Sequence, residues 1–281
     1  MTATTKTKKF FTINGSKTNL DEGVIKDMLN DCLNMENAQF ASMLTGNYTY
    51  SVLNLLLCRM QLKFQGYNMG VIKCLSKWTA ENRYKKQGAV KLWMRLPVVH
   101  KVYKDGKVEL DADGKEKTYK TFKFANNWLA YDQTIGANDD TIENKLAKIN
   151  IDVKKLAKNL GITLIDYDYS AQNCGGYAIV DEKKLAINPA WADSYEMASV
   201  LFHEIGHIVC KHKGTDNTQI KEIEAEGVAL IMGKLLGIGN ESSAAAYIQN
   251  WSRKNSKLIT DKVASHILSA VNEIVKANNK E

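Results

Sequence analysis

ASVLFHEIGHIVC, residues 198–210, decides how this chain of 281 residues is read. Its apolar residues recur at helical spacing around the pattern H-E-x-x-H, made by His203, Glu204 and His207. Residues four apart lie on one face of a helix, so the two imidazoles can hold one metal ion together. Glu204 stands beside the first ligand, where it can take a proton from a metal-bound water. Asp193-Ser194-Tyr195-Glu196 has the pattern of a capping box and would start this helix. Gly214 would end it.

Catalytic zinc takes three protein ligands and leaves one position for water. The next helical pattern, TQIKEIEAEGVALIMGKLLGIG at 218–239, offers Glu222, Glu224 and Glu226. Glu226 has Ile223, Ala229 and Leu230 as helical neighbours and so points toward the apolar face. A buried carboxylate needs a partner, and a metal is a good one, which makes Glu226 the expected third ligand. Glu222 lies on the same side one turn earlier and is expected to hydrogen-bond a ligand from behind, or to replace Glu226. Glu224 points nearly opposite. Zinc would polarise a carbonyl while Glu204 moves the proton, which is the chemistry of amide hydrolysis. Tyr177, His212 and Tyr247 are candidate donors to the developing oxyanion. Cys210 lies three residues past His207 and is expected to pack rather than to bind.

The length suits one or two domains with an ample core, and 44% apolar against 25% charged residues is an ordinary globular balance. No apolar run reaches the 18 or so residues of a membrane span, so no membrane partner is expected. The N-terminus, MTATTKTKKFF, is polar and basic with no secretory pattern, and residues 1–19 read as a flexible basic tail. The five cysteines form no C-x-x-C pair and are odd in number. Buried free thiols in a reducing cytoplasm follow.

The net charge of +7 is unevenly placed. Residues 1–140 hold 21 Lys and Arg against 14 Asp and Glu, whereas the rest is balanced at 17 each. Such asymmetry suggests two functional parts, one of which meets a polyanion. DEGVIKDMLNDCLNM and YSVLNLLLCRMQLKF read as helices within 20–64, and KLWMRLPVVHKVY and KTYKTFKFANNWLAY read as strands within 67–135. Asp105-Gly106 and Asp113-Gly114 mark turns between them. IGANDDTIEN at 135–144 is polar and Gly/Asn/Asp-rich, with the linker placed at 137–144. A helix follows in KLAKINIDVKKLAKNLGI, then short strands in ITLIDYD, YAIV and KKLAINP.

The segment 67–95 interleaves cations with aromatic residues: Lys73, Lys77, Arg83, Lys85, Lys86, Lys91 and Arg95 with Trp78, Tyr84 and Trp93. Single-strand binders pair cations for phosphates with aromatic faces for bases, and these residues are the expected DNA contacts. KTYKTFKF at 117–124 alternates Lys with Tyr and Phe, as a strand with one basic face would.

Both halves resemble the ArdC-type antirestriction proteins of plasmids, phages and other mobile elements. The C-terminal marks are GITLIDYD, CGGYAI, SVLFHEIGHIV, KEIEAEGVALIMGKLLGI and AYIQNW; the N-terminal marks are YSVLNLLLC, KLWMRLPV and FKFANNWLAYDQTIG. The resemblance spans about residues 20 to 275. It implies an α+β chain with an N-terminal helical and β domain for single-stranded DNA at 20–136 and a small zincin-like metallopeptidase domain at 145–281. Carried over by position, it makes His203, His207 and Glu226 the zinc ligands and Glu204 the catalytic residue. The E-A-x-x-x-A pattern of related immunity-repressor-cleaving peptidases would align Glu224 instead. The implied role is protection of incoming mobile DNA against host restriction. Two alternatives stand beside it: a regulatory metallopeptidase that cleaves a specific protein such as a repressor, and a binding module with structural zinc.

Overall fold

A computed structural model describes residues 10–13, 16–19, 23–45, 47, 49–136, 151–169, 174–191, 195–237 and 250–280. The chain is an α+β protein whose contacts divide it into two compact units. One unit comprises residues 1–21 and 57–139, the other residues 22–56 and 140–281. The second unit is therefore discontinuous in sequence. The linker expected at 137–144 lies outside the described residues.

The first unit is built on an antiparallel sheet of β3 (Ile72–Cys74), β8 (Thr118–Ala130) and β5 (Leu92–Lys101), with β8 in the middle. Between β3 and β5 run α4 (Leu75–Ala80) and β4 (Arg83–Lys85), and β4 pairs with β9 (Thr134–Gly136). Pro97 falls inside β5, within the run KLWMRLPVVHKVY that reads as a strand. It is tolerated because β5 is an edge strand and needs no N–H on its open side. Between β5 and β8, β6 (Tyr103–Lys104) and β7 (Lys107–Val108) close a small hairpin. Its turn residues, Asp105 at φ 50° and Gly106 at φ 77°, have the two positive φ values that a tight two-residue loop demands.

Residues 10–19 depart from the flexible tail expected of them. β1 (Phe10–Ile13) and β2 (Ser16–Asn19) pair antiparallel. Asn14-Gly15, between them in the sequence, is a short-range hairpin signal.

The second unit joins a three-stranded sheet to a helical layer. β10 (Thr163–Leu164) lies parallel to β12 (Lys184–Ile187), and β11 (Gly176–Ile179) lies antiparallel on its other side. The helices are α1 (Val24–Asn34), α2 (Asn37–Thr45), α5 (Val153–Leu160), α6 (Tyr195–Cys210), α7 (Thr218–Leu235) and α8 (Asp261–Asn278). The helix α3 (Val52–Gln65) crosses the division between the units. Buried residues mark the packing: Leu201, Phe202 and Ile205 on α6, Val228, Ile231 and Met232 on α7, Ile267, Val271 and Ile274 on α8. Each such side chain contributes about 1.5–3 kcal/mol. Asn217 caps α7 by accepting from the backbone N–H groups of Gln219 and Ile220. Asp261, at the first turn of α8, accepts from the backbone of Gly23 and Lys26 and so ties the start of α1 to α8. Among the described residues no helix is long and apolar enough to cross a membrane.

Candidate functional site

α6 carries His203, Glu204 and His207, and α7 carries the three glutamates. The two helices meet at glycine. A Cβ on Gly206 would stand 3.1 Å from Ala225 Cα and 3.3 Å from Ala225 O. Only hydrogen at that position lets the helices approach this closely, and the approach brings α7 carboxylates to the imidazoles.

His203 Nε2 and His207 Nε2 lie 3.1 Å apart. Glu222 Oε2 is 3.4 Å from the first and Glu222 Oε1 is 3.7 Å from the second. Tetrahedral bonding at zinc distances would set donor atoms about 3.3 Å apart. The three side chains thus already stand at the edges of a coordination sphere for a small divalent cation. The other ring nitrogens are occupied: His203 Nδ1 lies 3.3 Å from Glu226 Oε2, and His207 Nδ1 lies 2.8 Å from His212 Nδ1. Histidines that ligate a metal through one nitrogen are usually held by the other in this way.

The structure therefore places the glutamates differently from the sequence expectation. Glu222 faces the Nε2 pair. Glu226, expected there, stands behind His203 on the Nδ1 side. Glu224, expected to point away, is buried and meets two other histidines: its Oε2 lies 2.9 Å from His212 Nε2 and 2.8 Å from His266 Nδ1. His266 comes from α8 and has no sequence signal beyond being a histidine. Cys210, Glu224 and His266 also lie within 4.8 Å of one another, but hydrogen bonds from both histidines already engage Glu224.

The electrostatics suit a cation site. Burial chiefly depresses the His207 pKa to about 4, and any positive charge on the neighbouring His203, His212 and Lys221 acts in the same direction, so its imidazole is neutral near pH 7. Burial also works against charge on His203, but the carboxylates of Glu226, Glu204 and Glu222 outweigh it and raise its pKa. Glu204 is raised, chiefly by burial, although His203 and a backbone hydrogen bond from Ala178 pull it down. A carboxylate with strengthened proton affinity is what a general base requires. Burial would raise Glu224, yet its hydrogen bonds from His212 and His266 win and hold it at about 2.

α6 ends at Cys210, not at Gly214. Lys211 takes a left-handed φ of 56°. Its N–H donates to Ile208 O, and the N–H of His212 donates to His207 O. This Schellman arrangement folds His212 back onto the helix, which is why its ring reaches His207. His212 is thereby committed elsewhere than to an oxyanion. Tyr247 and the capping box at Asp193 lie outside the described residues.

The expected DNA contacts divide. Trp78 is buried, and its Nε1–H donates to Leu129 O. Arg83 is buried against the Tyr131 ring and donates to Thr134. Neither can meet a nucleotide, and both are corrected to core residues: an indole and a guanidinium that the strand pair β4–β9 and α4 enclose. Lys73 pairs with Glu81, Lys86 with Asp132, and Lys85 donates to the carbonyls of Lys86 and Ala89. Tyr84 and Lys77 are exposed, and Lys91 and Trp93 are half-buried. The single basic face expected of 117–124 does not form, because side chains alternate across β8. Lys120, Phe122 and Phe124 share one face with Arg95 of β5, while Tyr119 and Lys123 share the other with His100. Arg95 stacks on Phe122 at 3.6 Å, and Phe122 is 42% exposed.

Residues 157–241 match the family profile described as Peptidase_M78, IrrE N-terminal-like domain. No curated protein matches the chain. The chain is similar to crystal structures of the antirestriction ArdC protein from the R388 plasmid. The metal-free structure is 16% identical, with 93% of this chain and 96% of that chain covered and a TM-score of 0.48. The Mn(II)-bound structure is 12% identical, with 92% and 99% covered and a TM-score of 0.42.

Proposed function

We propose that the second unit is a zinc-dependent peptidase in which His203, His207 and Glu222 hold the ion and Glu204 is the catalytic proton acceptor. The observation that carries this reading is the convergence of three side chains from two helices at 3.1–3.7 Å, with Glu204 next in sequence to one of them. Zinc, when bound, supplies Lewis acidity and a water of lowered pKa. Glu204 accepts the proton of the attacking water and returns it to the leaving amine. Glu226 and His212 hold the two imidazoles from behind. Among the described residues β11 borders β12 on one side only, and the Ala178 N–H that meets Glu204 lies on it, so an extended substrate would run past the base along this strand.

The first unit is the single-stranded-DNA binder of the pair. The sheet face of Arg95, Lys120 and Phe122 offers cations beside an exposed ring, the combination that phosphates and bases need. Together the units suit an antirestriction protein of a mobile element that coats incoming single strands. A second reading, a regulatory peptidase that cleaves one protein such as a repressor, is favoured by the family match falling wholly within the second unit.

Metal analysis and a gel-shift series decide between them. Wild-type protein is expected to hold one zinc per chain, and Glu204→Gln to keep the zinc while losing peptide cleavage. A chain that takes up no zinc sinks the peptidase reading. Single-stranded oligonucleotides are expected to shift in preference to duplex, with affinity falling steeply as salt rises. Absence of any shift at low salt leaves only the regulatory peptidase.

A further inference from the structure

Four of the five histidines run in a line from the metal centre to α8. His207 Nε2 faces His203 and Glu222, and His207 Nδ1 lies 2.8 Å from His212 Nδ1. On the far side of that ring, His212 Nε2 lies 2.9 Å from Glu224 Oε2, and His266 Nδ1 approaches the same oxygen to 2.8 Å. His212 is 7% exposed and Glu224 is 5% exposed, so water does not compete for the contact between them, while His266 stands at the surface with its side chain 43% exposed.

The proton positions follow from the partners. An ionised carboxylate only accepts, so the His212 nitrogen that faces it, Nε2, carries hydrogen. If that is the only ring hydrogen of His212, its Nδ1 is bare and can only accept. The 2.8 Å approach of His207 Nδ1 is a hydrogen bond only if His207 donates from Nδ1. That leaves His207 Nε2 without hydrogen, its lone pair aimed where His203 and Glu222 converge. His266 donates its Nδ1–H to Glu224 and holds the carboxylate in place from α8.

We propose that Glu224, His212 and His266 form a relay that fixes the tautomer and ring orientation of His207 and keeps its Nε2 ready for a cation. They are positioning residues, not ligands. The purpose of the relay rests on the metal centre proposed above, but its proton arrangement can be read without metal. A carboxylate usually meets a metal-bound histidine directly. Here a second imidazole stands between them, because the left-handed turn at Lys211 lays His212 across His207. The α8 helix thereby becomes part of the site without touching it.

Nitrogen-15 imidazole spectra of the full chain, first metal-free at neutral pH and then with zinc added, test this directly. His207 is expected in the Nδ1–H form and His212 in the Nε2–H form in both states, with a slowly exchanging His207 Nδ1 proton that vanishes in His212→Phe. Zinc affinity, measured by competition with a chromophoric chelator, is expected to fall 10- to 100-fold in Glu224→Gln, which keeps the shape and removes the charge. A metal-free wild type with His207 in the Nε2–H form overturns the relay. So does a Glu224→Gln chain with wild-type zinc affinity, or a second zinc per chain that is lost in Cys210→Ser, which would put a metal where the relay runs. A wild type that binds no zinc refutes the metal centre, and the metal-free spectra then decide the relay alone.

Discussion

At the scale of single residues, the choice between Glu222 and Glu226 is the sharpest test of the site. Glu222 approaches both Nε2 atoms, whereas Glu226 meets only His203 Nδ1. Glu226→Gln is therefore expected to weaken zinc binding by about 10- to 100-fold, the usual cost of losing a partner behind a ligand. Glu222→Ala is expected to cost more than that range, and calorimetric zinc titration of the two variants side by side checks the order; the reverse order would make Glu226 the ligand. The thiols give an independent check on burial. Only thiolate alkylates. Burial pushes Cys210 up to about 12 and raises Cys58 as well, whereas the Ser76 hydroxyl beside Cys74 lowers its pKa. Iodoacetamide at pH 7.5 followed by peptide mass spectrometry is expected to label Cys74 well before Cys58 and Cys210. The two histidines were legible in the sequence because a four-residue spacing is a property of one helix. The carboxylate proposed to join them was not, because Glu222 and Glu226 are themselves four apart and share a face. Which of them faces the two Nε2 atoms depends on where α7 crosses α6, and burial favours Glu226, whereas the carboxylate that faces them, Glu222, is 54% exposed.

At the scale of elements, two residues set the geometry of the α6 end and of the α6–α7 crossing. Lys211 pays for the Schellman turn with a left-handed backbone at a residue that has a Cβ. Lys211→Gly relieves about 1 kcal/mol of that strain while keeping the turn, so the urea midpoint should rise and zinc affinity should stay unchanged. Gly206 acts in the opposite sense. A branched side chain there meets the backbone of Ala225 and the Val228 side chain, which cannot withdraw. Gly206→Val is expected to cost about 1–3 kcal/mol and to separate the imidazoles from Glu222, seen as lower urea midpoint and weakened zinc binding together. Loss of stability without loss of zinc would mean the crossing does not set the ligand distances. Long periodic helices such as α7, and the Asp105-Gly106 turn, were readable from spacing and turn chemistry. The β1–β2 pair was also written in the sequence, in Asn14-Gly15 flanked by Phe10, Phe11 and Ile13, but a basic, threonine-rich start masks it when composition is weighed before turn type.

At the scale of the whole molecule, the sequence suggests a cut near residue 140, and charge supports it, since the excess of basic residues ends there. Periodicity identifies α1 as an amphipathic helix but cannot say what covers its apolar face. The structure gives that face to the second unit: Met28, Leu29, Cys32 and Leu33 are buried, and the start of α1 is bound to Asp261 by two backbone hydrogen bonds. Ser252 Oγ donates to Asn30, and the backbone of Val52 donates to Asn272. Removing residues 22–56 would uncover the matching surfaces of α7 and α8 and orphan Asp261. Met28, Leu29 and Leu33 are each worth about 1.5–3 kcal/mol, so their joint loss is comparable to the whole stability of an ordinary domain. A fragment of residues 140–281 is therefore expected to bind a hydrophobic dye and to melt without a cooperative transition. Adding residues 22–56 in trans as a peptide should restore the transition and, with it, zinc binding, because α8 carries the His266 that holds Glu224. A fragment of 140–281 that melts cooperatively by itself would place α1 outside the unit that the metal centre needs.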